Sequence, residues 1–125
     1  MAEYFADTYA LVEILKGNPN YGKYSSAELY TTEFNLLELP YALVRDFGVE
    51  KAEGILEIVK SSVTVVVPEV HHYVLASEIR IQERKNEKKL SLIDCLGYVI
   101  AKSLGMRFLT GDREFEGMAN VEFVK

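Results

Sequence analysis

The segment Ser91–Phe115, SLIDCLGYVIAKSLGMRFLTGDREF, decides how the rest of the chain is read. Leu92, Ile93, Cys95, Leu96, Val99, Ile100 and Leu104 leave almost no solvent face, so a buried helix is expected from Ser91 to its stop at Gly105. Met106–Leu109 follows as a short apolar strand, and Thr110, Gly111 and Asp112 turn off its carboxyl end. Two carboxylates stand against this apolar background, Asp94 within the helix and Asp112 after the strand. A carboxylate in such surroundings is costly unless something positive meets it. The spacing Ser91-x-x-Asp94 also fits a capping box, which gives Asp94 a purely structural reading as well. Asp94, Gly97 and Ala101 form a strip of small residues that another element or a ligand can approach closely.

The chain ahead of this segment repeats the pattern. Glu3–Ala6, EYFA, suits a buried strand; Asp7 follows it, and Thr8 opens a helix through Ala10, Leu11, Ile14 and Leu15 that stops at Gly17 and Pro19. Asp7 is either at the carboxyl end of a strand, where open α/β sheets place ligands, or simply a helix N-cap. Position alone weighs the two equally. Asn18–Ser26 is polar and turn-rich, and Ala27–Thr31 is a weaker strand. Glu33–Asp46 predicts a helix apolar nearly all round and therefore buried, with Asn35, Glu38 and Arg45 on one narrow stripe. Pro40 is expected to bend this helix or break it early. Glu38, between Leu37 and Leu39, has few routes to water, although a solvent-edge glutamate is the plainer alternative.

Val49–Val59 has an ordinary amphipathic pattern, with Glu50, Glu53 and Glu57 on its solvated face. Val63–Val67, rich in β-branched residues, is the strongest strand signal, and Pro68 ends it and can open the helix Val70–Gln82. His71 and His72 are neighbours on that helix and do not face the same way. Without a third ligand at suitable spacing they are expected on its surface or partly packed. Val121–Val124 is a last strand. Strands near residues 4, 64, 107 and 122, with a weaker one near 29, thus alternate with helices. The expected fold class is α/β: a three-layer sandwich around a central, mostly parallel sheet of four to five strands, in a single domain over residues 1–125.

Composition bounds the function. With 49% apolar and 26% charged residues the chain resembles an ordinary soluble protein, and no apolar run is long enough for a transmembrane segment. The acidic N-terminus does not look like a signal peptide, and the lone Cys95 has no intramolecular disulfide partner and is expected to pack as a small apolar residue. A cytoplasmic location is expected. The net charge of −5 argues against a module that holds nucleic acid only by covering phosphates, but not against an enzyme whose bound cations offset its own acids. One segment runs the other way: Arg80–Lys89, RIQERKNEKK, carries five basic residues against two acids. It is either a solvated helix end or a rim, with Arg80, Arg84 and Lys85 as contacts, that draws a polyanion toward an acidic site.

Only four of the 19 acidic residues are aspartates, and three of these are Asp7, Asp94 and Asp112. In a parallel sheet, the carboxyl ends of strands and the N-termini of following helices share one edge, so these three and Glu38 are expected to converge there. Like charges gathered so closely need cations between them, and all-oxygen ligands favour hard ions, Mg²⁺ or Mn²⁺. Such ions suit phosphodiester hydrolysis, because they polarise phosphoryl oxygens and activate water.

With ADTYAL at 6–11, TTEFNLLEL at 31–39, LSLIDCLGYVIAKSLGMRFLTGDREF at 90–115 and the closing VEFV, the chain resembles a PIN domain, and more narrowly a VapC-type toxin ribonuclease. The resemblance implies that Asp7, Glu38, Asp94 and Asp112 are the catalytic, metal-binding acids, with Thr8, Asn35 and Thr110 in support. Glu114 stands where many members carry a further aspartate and is included among the candidate metal ligands. Tyr9 replaces a smaller residue and alters how substrate enters. The resemblance also implies an RNA substrate, a homodimer, an antitoxin protein as partner and no membrane association. The competing reading is a catalytically weak PIN fold acting as an interaction module in an RNA-processing or toxin–antitoxin complex. A phosphatase with a nucleophilic Asp7 would need an aspartate where Tyr9 stands.

Overall fold

The computed structural model describes residues 2–125. Five strands, β1 (Glu3–Ala6), β2 (Glu28–Thr32), β3 (Thr64–Val66), β4 (Arg107–Thr110) and β5 (Val121–Phe123), form one sheet in the order β3-β2-β1-β4-β5. Every neighbouring pair is parallel, so the expected sheet is present with all five strands. Five helices complete the sandwich: α1 (Thr8–Leu15), α2 (Glu33–Phe47), α3 (Val49–Ser62), α4 (Val70–Arg84) and α5 (Leu92–Ser103). The polar stretch after α1 folds into a 3₁₀ turn, Pro19–Tyr24, and a second such turn spans Arg113–Phe115.

Alternation along the strands builds two cores. Phe5 and Phe108 face α4 and α5, where they meet Leu96, Ile100 and Phe115. Ala6, Leu29 and Leu109 face the other layer, with Leu11, Leu36, Leu39 and Leu43. Strands of a parallel sheet are buried on both faces by such helices, which is why they carry so little polar sequence. Cys95 is fully buried, as expected of a small apolar residue. No helix of the described residues is long and apolar enough to cross a membrane.

Three local expectations change. First, α2 continues through Pro40 to Phe47. Pro40 removes the hydrogen bond to the Leu36 carbonyl, but burial of Leu36, Leu39 and Leu43 on both sides holds the helix together. Second, α2 is not buried all round: Leu37 and Tyr41 are 75% and 77% exposed, with Phe34, Val44 and Phe47 partly so. The same holds for Val70, Tyr73 and Val74 on α4. Periodicity counts apolar residues but cannot tell a face covered by this chain from one left for another. Third, His72, expected on the surface of α4 or partly packed, is buried and caps the start of the helix. His72 Nδ1 accepts from Glu69 N (2.9 Å) and Nε2 lies 3.1 Å from Ser103 Oγ. Glu69, His71 and His72 come together at that helix start, but these bonds commit both ring nitrogens of His72 to packing.

The small-residue strip of α5 serves the sheet. A methyl group on Gly97 would lie 2.5 Å from Phe5 Cε1 and 3.0 Å from Phe108 Cε1. Gly97→Ala is therefore expected to destabilise the protein by about 1–3 kcal/mol, measured as a lower urea midpoint. An unchanged midpoint would show that the two phenylalanines relax freely.

Candidate metal centre

The order of the sheet sets the place of the site. From β1 the chain steps to β2 and β3 on one side and then crosses back to β4 and β5 on the other. Such a reversal opens a crevice at the carboxyl ends of the two central strands. Asp7 ends β1, Asp112 follows β4, and Asp7 N donates to Leu109 O at 3.2 Å. α2 brings Glu38 and α5 brings Asp94 to the same edge. The four carboxylates line one cleft of about 560 Å³, together with Thr8, Tyr9, Tyr41, Arg113 and Lys125.

Asp7 is both an N-cap and a member of the cluster. Its Oδ1 accepts from Ala10 N at 2.8 Å, while Oδ2 accepts from the Thr110 hydroxyl. Thr110 Oγ1 in turn accepts from Asp112 N at 3.0 Å, so one buried hydroxyl links the first and last acids. A second chain starts at α2. Thr32 and Asn35 form a capping box, Asn35 Nδ2 donates to Thr8 Oγ1 (3.2 Å), and Thr8 Oγ1 donates to Glu38 Oε1 (2.7 Å). The three supporting residues named from the sequence thus each hold one of the acids or its holder. At Asp94, Ser91 Oγ accepts from the Asp94 amide at 3.1 Å. Only this half of the capping box forms, and the Asp94 carboxylate lines the cleft.

Electrostatics follow from burial. Burial pushes the Asp7 carboxyl up to about 8, helped by the charges of Asp94 and Asp112 and opposed by its bonds to Thr110 and Ala10. Burial likewise lifts Asp94 to about 6, opposed by Ser91 and reinforced by Glu38 and Asp112. The acids therefore repel one another across the cleft. A divalent cation relieves that repulsion and the burial cost together, and an all-oxygen donor set fits Mg²⁺ or Mn²⁺.

The other predicted residues fall outside this cleft. Glu114 Oε1 accepts from Lys89 N at 3.4 Å, and its own amide donates to Asp112 Oδ1 at 3.0 Å. It supports the turn and is not brought to the cleft with the four acids. Arg80 and Arg84 line a separate groove, and Lys85 caps the end of α4. Lys125, Arg113 and Tyr41 are lining residues that the sequence reading missed. Lys125 Nζ donates to Gly111 O (3.1 Å) and to Tyr9 Oη (3.3 Å), and lies 4.9 Å from the Tyr9 ring centre. The signal for Lys125 was present, since it follows the closing strand and parallel strands share one carboxyl edge. Gly111 is needed here because a methyl group would lie 2.1 Å from Tyr9 Cε1 and 2.5 Å from Val124 O.

Comparisons with known proteins agree with this architecture. A family model described as PIN domain matches residues 4–121. Among solved structures, VapBC2 of Rickettsia felis bound to a DNA fragment of its promoter superimposes with a TM-score of 0.75 at 17% identity, covering 98% of this chain and 99% of that one. Mycobacterium tuberculosis VapC20, described as a sarcin–ricin loop cleaving toxin, gives 0.76 at 21% identity over 98% and 99%. VapBC-1 of nontypeable Haemophilus influenzae gives 0.72 at 16% identity over 97% and 96%. No curated protein sequence matches the chain.

The raised carboxyl groups yield a signed pH dependence. Both bind protons more tightly folded than in the unfolded carboxylate range near 4, so their contribution to stability is complete below that range. It is lost as pH rises through about 6 for Asp94 and about 8 for Asp7. In chelator, the melting temperature of the wild type should fall relative to Asp7→Asn between pH 6 and 9. Mg²⁺ or Mn²⁺ should restore more of it at pH 8 than at pH 6, because cation binding needs ionised carboxylates. Parallel wild-type and variant profiles would contradict the buried, mutually repelling cluster.

Proposed function

Because the chain belongs to the PIN-domain family, we propose that it is an Mg²⁺- or Mn²⁺-dependent endoribonuclease that hydrolyses RNA phosphodiester bonds as the toxin of a toxin–antitoxin pair. The observation that carries this reading is the convergence of Asp7, Glu38, Asp94 and Asp112 on one cleft, with Asp7, Glu38 and Asp112 held by hydrogen bonds from threonine side chains or to them and Asp94 anchored at its amide by Ser91. These four acids are the residues to hold the cations. When bound, such ions polarise the scissile phosphoryl group and lower the barrier to attack by water.

The chain's own residues do the rest. Thr110 orients Asp7 through its hydroxyl and Asp112 through its amide, and Thr8, fixed by Asn35, orients Glu38. Holding a cation would require Asp7 and Asp94 to be ionised, so their raised carboxyl values would make binding easier at alkaline pH. Lys125 stands beside the acids as a point charge for the substrate phosphate, and Arg113, paired with Glu116, lies on the same wall. Partners are read from the apolar side chains left uncovered. The exposed residues of α2 and α4 offer surface for a second copy of this chain and for an antitoxin. A cytoplasmic location follows from that role.

Cleavage of RNA by the purified protein with Mg²⁺ or Mn²⁺, abolished by chelator, is the expected result. Asp7→Asn and Asp94→Asn should each be inactive, whereas Thr110→Ala and Asn35→Ala, which only orient ligands, should lose about 10–100-fold. Cleavage retained by both aspartate variants would remove these residues from the mechanism. Intact folding with no metal binding by calorimetry would favour the interaction module instead.

A further inference from the structure

Beside the acidic cleft lies a second one of opposite sign. A groove of about 520 Å³ is lined by Arg80, Arg84, Lys88 and Lys89, with Glu87 as the acid among them and with Ser91 and the buried Leu90 completing it. On a chain of net charge −5, this is a marked local reversal. Among the described residues, Lys16, Arg45, Lys60, Arg107 and Arg113 form ion pairs, whereas Arg80, Arg84, Lys88 and Lys89 do not. Lys23, Lys51, Lys85, Lys102 and Lys125 have none either, so what sets these four apart is that they line one groove.

The backbone gathers these cations deliberately. Glu87 takes a left-handed conformation, φ 62°, which glycine would adopt more easily. With Glu87 N bonded to Arg84 O and Lys88 N to Glu83 O, both at 3.0 Å, the chain reverses at the end of α4. Lys88 and Lys89 are thereby folded back beside Arg80 and Arg84. Lys89 N is held by Glu114, whose amide is held by Asp112, and Ser91 caps the helix that carries Asp94. The groove is thus fastened to two of the four catalytic acids. Glu114, which the sequence offered as a ligand, is here the brace between them.

We infer that this groove seats the RNA strand next to the scissile phosphate, with Arg80, Arg84, Lys88 and Lys89 taking the flanking backbone phosphates. The inference rests on the nuclease reading and adds where the substrate runs. An acidic peptide is the other polyanion of suitable charge, but a protein partner gains affinity from buried apolar anchors. Those are exposed on α2 and on the first turns of α4, at Leu37, Tyr41, Val70 and Val74, and do not line this groove. Guanidinium and ammonium groups along a concave strip suit a phosphate backbone.

The test is fluorescence anisotropy of a labelled single-stranded RNA of mixed sequence, in EDTA, across a salt series. Arg80→Gln/Arg84→Gln and Lys88→Gln/Lys89→Gln should each bind roughly tenfold more weakly, with a salt slope flatter by about 0.7 per cation removed. Lys51→Gln/Lys60→Gln on α3, with the same charge change, should bind like wild type. Equal affinity and slope in groove and control variants would overturn the inference. So would tight binding of polyglutamate that the groove variants lose while RNA binding stays unchanged, an outcome that assigns the groove to a protein. Cleavage with Mn²⁺ is measured on the same RNA. Wild type that binds through the groove without cleaving would defeat the nuclease reading and leave the RNA groove standing.

Discussion

The carboxylate of Asp7 lies buried at the carboxyl end of the central strand, where both burial and the charge of Asp94 oppose its ionisation. A buried carboxylate is tolerable only if its oxygens are bonded. One oxygen caps α1 and the other meets Thr110, and these two bonds set the geometry of the whole edge. Thr110 fixes where β4 ends, hence where Asp112 turns out. The helix that Asp7 starts carries Thr8, hence the hydroxyl that aims Glu38. Hydrogen bonds thus hold Asp7, Asp112 and Glu38 in place, and together with Asp94 they form a cluster of acids whose mutual repulsion a cation can relieve.

The same arrangement explains the uneven charge of the surface. Acids are gathered in one cleft, a few cations line its wall, and most of the unpaired basic charge of the α4–α5 connection lies in the adjoining groove. Net charge alone hides this, because association with a polyanion depends on local fields and on distances within about 8–10 Å. An acidic protein can present a basic path and a cation-loaded centre side by side. That combination separates it from a module that binds nucleic acid by bulk charge.

Most of the fold and of the acid set was legible in the chain itself. Strand and helix patterns around Phe5, Val65, Phe108 and Val121 are short-range signals, fixed by alternation and by stop residues such as Gly17, Gly48 and Gly105. Asp7 and Asp112 stood out because one follows an apolar strand directly and the other closes the short turn off such a strand. What the pattern missed depends on which surfaces meet. Leu37 and Tyr41 have the composition of core residues yet face outward, and His72 looks like a surface residue yet closes the start of α4. Lys125 follows the last strand, so its place at the shared carboxyl edge was legible, whereas its bonds to Tyr9 and Gly111, distant along the chain, were not.

The sequence by itself determined the alternation of strands and helices, the parallel α/β class and the identity of the four acids. These follow from side-chain periodicity and from the cost of placing carboxylates among apolar neighbours. Only the tertiary structure decided the order of the strands about β1, and with it the crevice in which the acids meet. It alone turned Glu114 toward Lys89 and folded Lys88 and Lys89 back upon Arg80 and Arg84. The physical reason is range: local spacing fixes which way a side chain leaves its own helix or strand. What it meets there is fixed by packing of elements distant in sequence.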